Sequence, residues 1–277
     1  MHASAFAHPQ LRLVFIGGGN MASAILGGLI KEGLRPDQVT VVAPTEATRA
    51  RLSAQFGVHT LGAAGPELAG ADVVVWAVKP QVFHEASLPV VPHTPGALHL
   101  SVAAGITTET LARWLGTDRV VRCMPNTPSL IGQGMSGLYA APGATAADRE
   151  LTDALLHPTG KLLWVKEEAQ LDAVTAISGS GPAYVFYWIE ALMQGGVELG
   201  LSEAESRELA AQTLAGAAAL VQASDEAPDV LRARVTSKGG TTHEAITSMQ
   251  QHQVGEHIVE AMRACWRRAR EMAAQYR

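Results

Sequence analysis

An apolar run at 11–16 ends in Gly17-Gly18-Gly19, and a helical pattern follows at once over 21–31. This succession of strand, glycine turn and helix constrains the chain more than any other feature, because it is how a parallel α/β sheet begins. Further apolar runs follow at 39–43, 73–78, 98–103 and 120–123, with helical spacing at 49–56 and over Thr108–Leu115. The runs are continuous rather than alternating, so both faces of each strand are buried, as in a parallel sheet covered by helices. Shorter strand-like pieces at 137–140 and 162–165 extend the sheet. The prediction is a doubly wound α/β domain of the Rossmann type over 9–167.

After 168 the strand signals stop. Ala, Leu, Glu and Gln at helical spacing predict helices over 171–177, 183–199, Glu203–Ala223, 229–236, 242–250 and 255–276. The breaks between them are Gly179-Ser180-Gly181-Pro182, Gly200, Pro228 and Gly239-Gly240, residues that stop helices. The second domain, 168–277, is therefore all-α. Its Ala/Gly-rich faces (Gly195, Gly196, Ala210, Ala211 and 215–219) let helices approach closely. They suit an intrachain core and a subunit interface equally.

Composition removes several function classes. Of 277 residues, 47% are apolar and 17% charged, enough for a large core. The net charge is -5, with no Lys/Arg cluster before the last helix, so no nucleic-acid partner is expected. No apolar run reaches the ~18–20 residues of a membrane span. Two cysteines, Cys123 and Cys265, exclude a disulfide framework and offer no metal spacing. The ten histidines lack catalytic or metal spacing, so no metal is expected. Residues 1–9 carry no basic region followed by an apolar stretch, and the expected compartment is the cytoplasm.

Gly17, Gly19 and Ala22 match G-x-G-x-x-G/A, with Gly18, Asn20 and Met21 between them. Gly17 makes the tight turn, Gly19 admits a pyrophosphate against the backbone, and Ala22 allows close helix–strand contact. A merely structural glycine turn has the same composition; the position after the first strand points to a dinucleotide. An NAD-selective site has an acid at the end of the second strand, whereas here Ala43-Pro44-Thr45 stands there, followed by Glu46 and Arg49. That favours NADPH, with NADH as the alternative, although Arg49 reads equally as a solvated helix residue. Val78 and Lys79 end the third run at the carboxyl edge, where ligands bind in such sheets. Ala103-Ala104-Gly105 closes the next, small enough for a flat ring or simply for a tight turn.

In the helical part, Ser237-Lys238-Gly239-Gly240-Thr241-Thr242 opens a helix. Two readings stay open. Free backbone N–H groups, a helix dipole and hydroxyls make an anion site. Thr241 as N-cap with Glu244 as its N3 partner makes an ordinary capping box.

Five motifs occur in one order: Phe15-Ile16-Gly17-Gly18-Gly19-Asn20-Met21-Ala22; Ala77-Val78-Lys79-Pro80-Gln81; Arg122-Cys123-Met124-Pro125-Asn126-Thr127-Pro128; Ser178-Gly179-Ser180-Gly181-Pro182-Ala183-Tyr184; and Ser237-Lys238-Gly239-Gly240-Thr241-Thr242. The series resembles the pyrroline-5-carboxylate reductases over nearly the whole chain. The resemblance implies reduction of 1-pyrroline-5-carboxylate to L-proline, the last step of proline biosynthesis. It implies the substrate carboxylate at Ser237 and the amides of Gly239, Gly240, Thr241 and Thr242, with the Thr242 hydroxyl facing the imine nitrogen and Glu168 lining the same pocket. The nicotinamide would rest near Ala104, Val78 and Lys79 beside the cofactor, and Ala43-Pro44 near the adenosine. It further implies a homodimer, often a pentamer of dimers, in which a neighbouring chain completes each pocket. Lys238 stands where the family commonly has Pro, and Arg234 where it often has a smaller polar residue.

Two other readings compete. A 3-hydroxyacid-type dehydrogenase shares the plan but needs a lysine in the helical domain to take the alcohol proton, and none lies between Lys166 and Lys238. A nucleotide-binding regulator without turnover has no use for the second anion loop.

Overall fold

A computed structural model describes residues 10–276; the readings made on 1–9 and on residue 277 lie outside them. The chain forms two compact units. The first runs through Ser180 and takes up the chain again from Cys265, and the second is Gly181–Ala264. That division falls later than 168, and its reason is local: a Cβ on Gly137 would lie 2.7 Å from Val174 and 3.2 Å from Leu171. The segment before Ser180 thus lies directly on a strand of the sheet.

The first unit is an eight-stranded sheet in the order β3-β2-β1-β4-β5-β6-β7-β8. Its strands are β1 (Leu13–Ile16), β2 (Val39–Val42), β3 (His59–Leu61), β4 (Val73–Trp76), β5 (Leu98–Ser101), β6 (Val120–Met124), β7 (Gly134–Ala140) and β8 (Gly160–Trp164). The first six are parallel in the 3-2-1-4-5-6 order of a dinucleotide-binding sheet. Five helices belong with them: α1 (Asn20–Lys31), α2 (Glu46–Phe56), α3 (Phe83–Ser87), α4 (Thr108–Leu115) and α5 (Ala146–Leu156). A sixth, α6 (Gln170–Val174), runs into a π-helical turn at Thr175–Gly179, so the helix predicted over 171–177 changes pitch inside its range.

Continuous apolar strands give two cores. Leu13, Phe15, Val39, Val41, Val73 and Val75 face Ile25, Leu26 and Leu29 of α1. Val14, Ile16, Val74 and Trp76 face Phe83 and, on α4, Leu111 and Leu115. Each such buried side chain contributes roughly 1.5–3 kcal/mol, which fixes the sheet under the loops at its carboxyl edge. One strand departs from the parallel expectation: β7 runs antiparallel to β6. The link 125–133 holds only a short 3-10 turn, and a parallel return needs a crossover of a dozen or more residues. The strand β3 and the helices α3 and α5 were not predicted from the sequence.

One buried histidine gives this core a pH dependence. The Trp76 indole N–H donates to His99 Nδ1 at 3.0 Å, and both residues are buried. Burial, reinforced by the Arg119 charge, pushes His99 from 6.5 down to about 4. The unfolded chain therefore binds the extra proton first. Stability is complete above pH 6.5 and is lost as pH falls from there towards 4, by roughly 3 kcal/mol. Urea midpoints measured across that window should fall more steeply for the wild type than for His99→Gln. Parallel curves would refute the assignment.

The second unit contains α7 (Gly181–Glu198), α8 (Glu203–Ala223), α9 (Pro228–Arg234), α10 (Thr241–Gln251) and the first part of α11 (Val254–Ala274). No strand occurs there, as predicted. The two longest neighbours, α7 and α8, approach through small residues: a Cβ on Gly196 would come within 2.5 Å of Ser206 Oγ. Among its described residues only Ser206 and Ala210 are buried, while Phe186, Tyr187, Leu209 and Leu220 are exposed. No helix among the described residues is long and apolar enough to cross a membrane.

Candidate active site

The glycine turn is built by the strands beneath it. Gly17 N–H donates to the Val42 carbonyl at 2.9 Å, and Gly17 takes φ +97°, a conformation glycine adopts without a Cβ clash. A Cβ there would meet the Ala77 carbonyl oxygen at 2.5 Å and Val78 Cγ1 at 3.0 Å. A Cβ on Gly18 would meet Leu52 at 2.5 Å and Ala43 at 3.7 Å. The turn therefore brings Gly17 to Val78 and Gly18 to Ala43, joining the ends of β1, β2 and β4. Gly19 is exposed, with nothing within 4 Å of a Cβ.

Gly19 is also the N-cap of α1, with no side-chain cap. The first N–H groups of a helix have no intrahelical partner. An open glycine above an uncapped helix start, at the edge where the strand order reverses, fits a pyrophosphate. Asn20 and Met21 open that helix, and Ala22 is fully buried against the core. Lys79 is exposed at the end of β4, and Pro44 is exposed at the end of β2.

Arg49 lies across the end of β2, its guanidinium donating to the carbonyls of Ala43 at 2.8 Å and Pro44 at 2.7 Å. A second arginine that the sequence reading passed over, Arg51, donates to the Gly18 carbonyl at 2.7 Å. Its place two residues beyond Arg49 on α2 gave no signal, because such residues do not share a helix face.

Ala104 sits in the turn after β5, half-buried. Beyond it a cleft of about 850 Å³ is lined in part by Thr107, Arg122, Glu168, Asp172 and Arg270. Burial pushes the Asp172 carboxyl up, against the pull of Arg122 and Arg270. Glu168 accepts from Thr108 and from Arg122. Cys123, on β6, is buried, and burial pushes its thiol up to about 12, which removes it as a nucleophile.

The remaining predicted residues lie in the second unit. Ser237 and Gly240 close a turn, the Gly240 N–H donating to the Ser237 carbonyl at 3.0 Å, with Gly239 at φ +73°. Helix α10 then starts from Gly240, not from Thr241 as the capping-box reading expects. Gly240 is the N-cap because its carbonyl accepts from Glu244 N–H at 3.2 Å. Thr241 and Thr242 are thereby the first two helical residues and Glu244 the fourth, so no box forms. No side chain caps this helix, and Ser237, Thr241 and Thr242 are exposed. Lys238 is exposed as well, and Arg234 pairs with Glu226 at 2.5 Å. Among the described residues no group of three or more His, Cys, Asp or Glu side chains could hold a metal ion.

This fold and site define a nicotinamide-dinucleotide oxidoreductase: a dinucleotide turn on a doubly wound sheet, followed by a helical domain. Residues 12–105 match the family described as NADP oxidoreductase coenzyme F420-dependent, and 168–272 match pyrroline-5-carboxylate reductase dimerisation. The chain belongs to the pyrroline-5-carboxylate reductase family, oxidoreductases that reduce a cyclic imine with NAD(P)H. It is 43% identical to the pyrroline-5-carboxylate reductase of Pseudomonas aeruginosa over 95% of this chain and 97% of that one. The solved structure of the Coxiella burnetii enzyme superposes with a TM-score of 0.89 at 35% identity, covering 95% of this chain and 99% of the other. The Plasmodium falciparum enzyme, solved with NADP bound, gives 0.83 at 26% identity, over 95% and 98%.

Proposed function

We infer that the chain reduces 1-pyrroline-5-carboxylate to proline with NADPH, with NADH as a weaker alternative. The observation that carries this reading is the uncapped start of α10, where exposed hydroxyls of Ser237, Thr241 and Thr242 surround free backbone donors. Such a start binds a carboxylate, and Gly239, with nothing within 4 Å of a Cβ, leaves open space beside it. Bound NAD(P)H supplies a hydride to the imine carbon. The protein orients the imine and assists protonation of its nitrogen, so that C=N becomes C–N–H. Thr242 is assigned to that nitrogen, as positioner or as a relay for water. A cyclic imine is already electrophilic, which is why no His/Asp or Cys/His pair is required.

On the sheet, Gly17, Gly18, Gly19, Asn20 and Met21 hold the pyrophosphate, Ala43 and Pro44 the adenosine end, and Val78, Lys79 and Ala104 the nicotinamide end. Arg49, anchored at the end of β2, stands where an arginine reads the 2′-phosphate. The resemblance puts Glu168 in the substrate pocket as well.

The helical domain serves as the dimer interface. Its exposed Phe186, Tyr187, Leu209 and Leu220 support that role, and a pentamer of dimers is the larger assembly proposed. Both cysteines are free, in keeping with the cytoplasm.

The test is oxidation of NADPH and NADH with pyrroline-5-carboxylate. We expect turnover with a preference for NADPH, narrowed by about 10-fold in Arg49→Ala through loss of a charge-assisted bond. NADPH binding without turnover would move the chain to the regulator reading. Turnover with a 3-hydroxyacid and NADP instead would favour the dehydrogenase.

A further inference from the structure

The turn 102–107 leaves the carboxyl end of β5, in the half of the sheet that takes the nicotinamide end of a dinucleotide. Both of its sides are fixed. At its tip Gly105 takes φ +78°, and a Cβ there would touch Met272 Cβ at 3.4 Å. Just past its far end Thr108, the first residue of α4, donates twice to one carboxylate, its N–H to Glu168 Oε1 at 2.7 Å and its hydroxyl to Glu168 Oε2 at 2.8 Å. Arg122, buried on β6, donates to the same Glu168 Oε1 at 2.5 Å.

A carboxylate at a helix start is ordinarily just a cap. Here α4 already has one, since the Thr107 hydroxyl accepts from Thr110 N–H. Glu168 instead takes the donors of Thr108, and its own position is set by an arginine rooted in the sheet. Charge-assisted bonds of this kind are shorter and stronger than neutral ones. The three groups therefore tie the start of α4, and the turn that leads into it, to β6.

We propose that Arg122 and Glu168 are positioning residues for hydride transfer, clamping Thr108 and with it the turn against which the nicotinamide rests. This rests on the function inferred above. On this proposal Glu168 acts through the turn rather than on the substrate. The clamp governs the distance from hydride donor to imine carbon, a quantity to which rate is steeply sensitive.

The experiment compares Thr108→Val, which removes only the hydroxyl bond, with Glu168→Gln and with the double variant, using NADPH and its 4-deuterated form. Both single variants should lower kcat by about 10-fold and raise the deuterium isotope effect. The KM for pyrroline-5-carboxylate and the affinity for 2′,5′-ADP, which occupies only the adenosine half, should stay near wild type. The double variant should be no worse than Glu168→Gln, because both act through one contact. A rise in KM for pyrroline-5-carboxylate in Glu168→Gln, with Thr108→Val silent, would overturn the clamp and put Glu168 on the substrate. Loss of 2′,5′-ADP binding in both would overturn it too, reducing the pair to fold support. Normal kinetics in both variants would overturn the clamp alone, whereas a wild type without turnover would remove the clamp and the reductase together.

Discussion

Gly17→Ala is expected to weaken NADPH binding by roughly 100-fold or more, the ratio that corresponds to about 3 kcal/mol of backbone strain and lost phosphate bonds. At φ +97° an alanine is strained in any surroundings, and here its Cβ would also come within 2.5 Å of the Ala77 carbonyl oxygen. That obstacle is backbone in the segment following β4, so it cannot swing aside as a side chain would. The turn must shift, and it carries the donors proposed to face the pyrophosphate. The melting temperature should fall as well, since Gly17 N–H is bonded to Val42. Gly19→Ala separates the two effects. Nothing lies within 4 Å of a Cβ at Gly19, so folding should be unchanged while the added methyl occupies the space proposed for the phosphate. Fluorescence titration with NADPH, alongside thermal melts, measures both. Wild-type affinity in Gly17→Ala would remove the turn from the cofactor site.

What the sequence made legible follows from how local each determinant is. The requirement at Gly17 is set by one turn and the strands on either side of it, and the apolar runs that became β1, β2 and β4 need no distant partner to declare themselves. The three-residue β3 does, because His59, Thr60 and Leu61 are at best half-buried at the sheet edge and exist as a strand through pairing with β2. Helix α5 was signalled and missed: Thr145 and Asp148 form a reciprocal capping box. The converse case is α10, where Thr241 and Glu244 have the spacing of such a box, one of the two readings left open. The turn Ser237–Gly240 shifts the helix start by one residue, and the pair cannot form. Nothing in the sequence foretold the meeting of Thr108, Arg122 and Glu168, whose segments come together only after β5, β6 and β8 are assembled. The motif Arg122-Cys123-Met124 drew attention to the right stretch, but the partner of its arginine is a property of the fold.

That one-residue shift decides how Thr242 should be tested. With Gly240 as N-cap, Thr242 is the second helical residue; it is exposed, and no side chain caps the helix. Removing its hydroxyl breaks no hydrogen bond among the described residues, and alanine is the better helix former. Thr242→Ala should therefore keep the melting temperature of the wild type. If the hydroxyl meets the imine nitrogen as the charge on it changes, kcat should fall by roughly 10- to 1000-fold, the range for losing one polar contact in a transition state. NADPH affinity should not change, because the residues proposed to hold the cofactor lie on the sheet. Thr242→Ser restores the oxygen without the methyl group and should recover most of the rate, while Thr242→Val, which keeps the shape and loses the oxygen, should not. Steady-state kinetics on the three variants with pyrroline-5-carboxylate, each checked by a melt, give the answer. Should Thr242→Val turn over within about twofold of wild type, a contact of the expected size is absent, and the proton must reach the nitrogen by a route that leaves this helix start to the carboxylate alone.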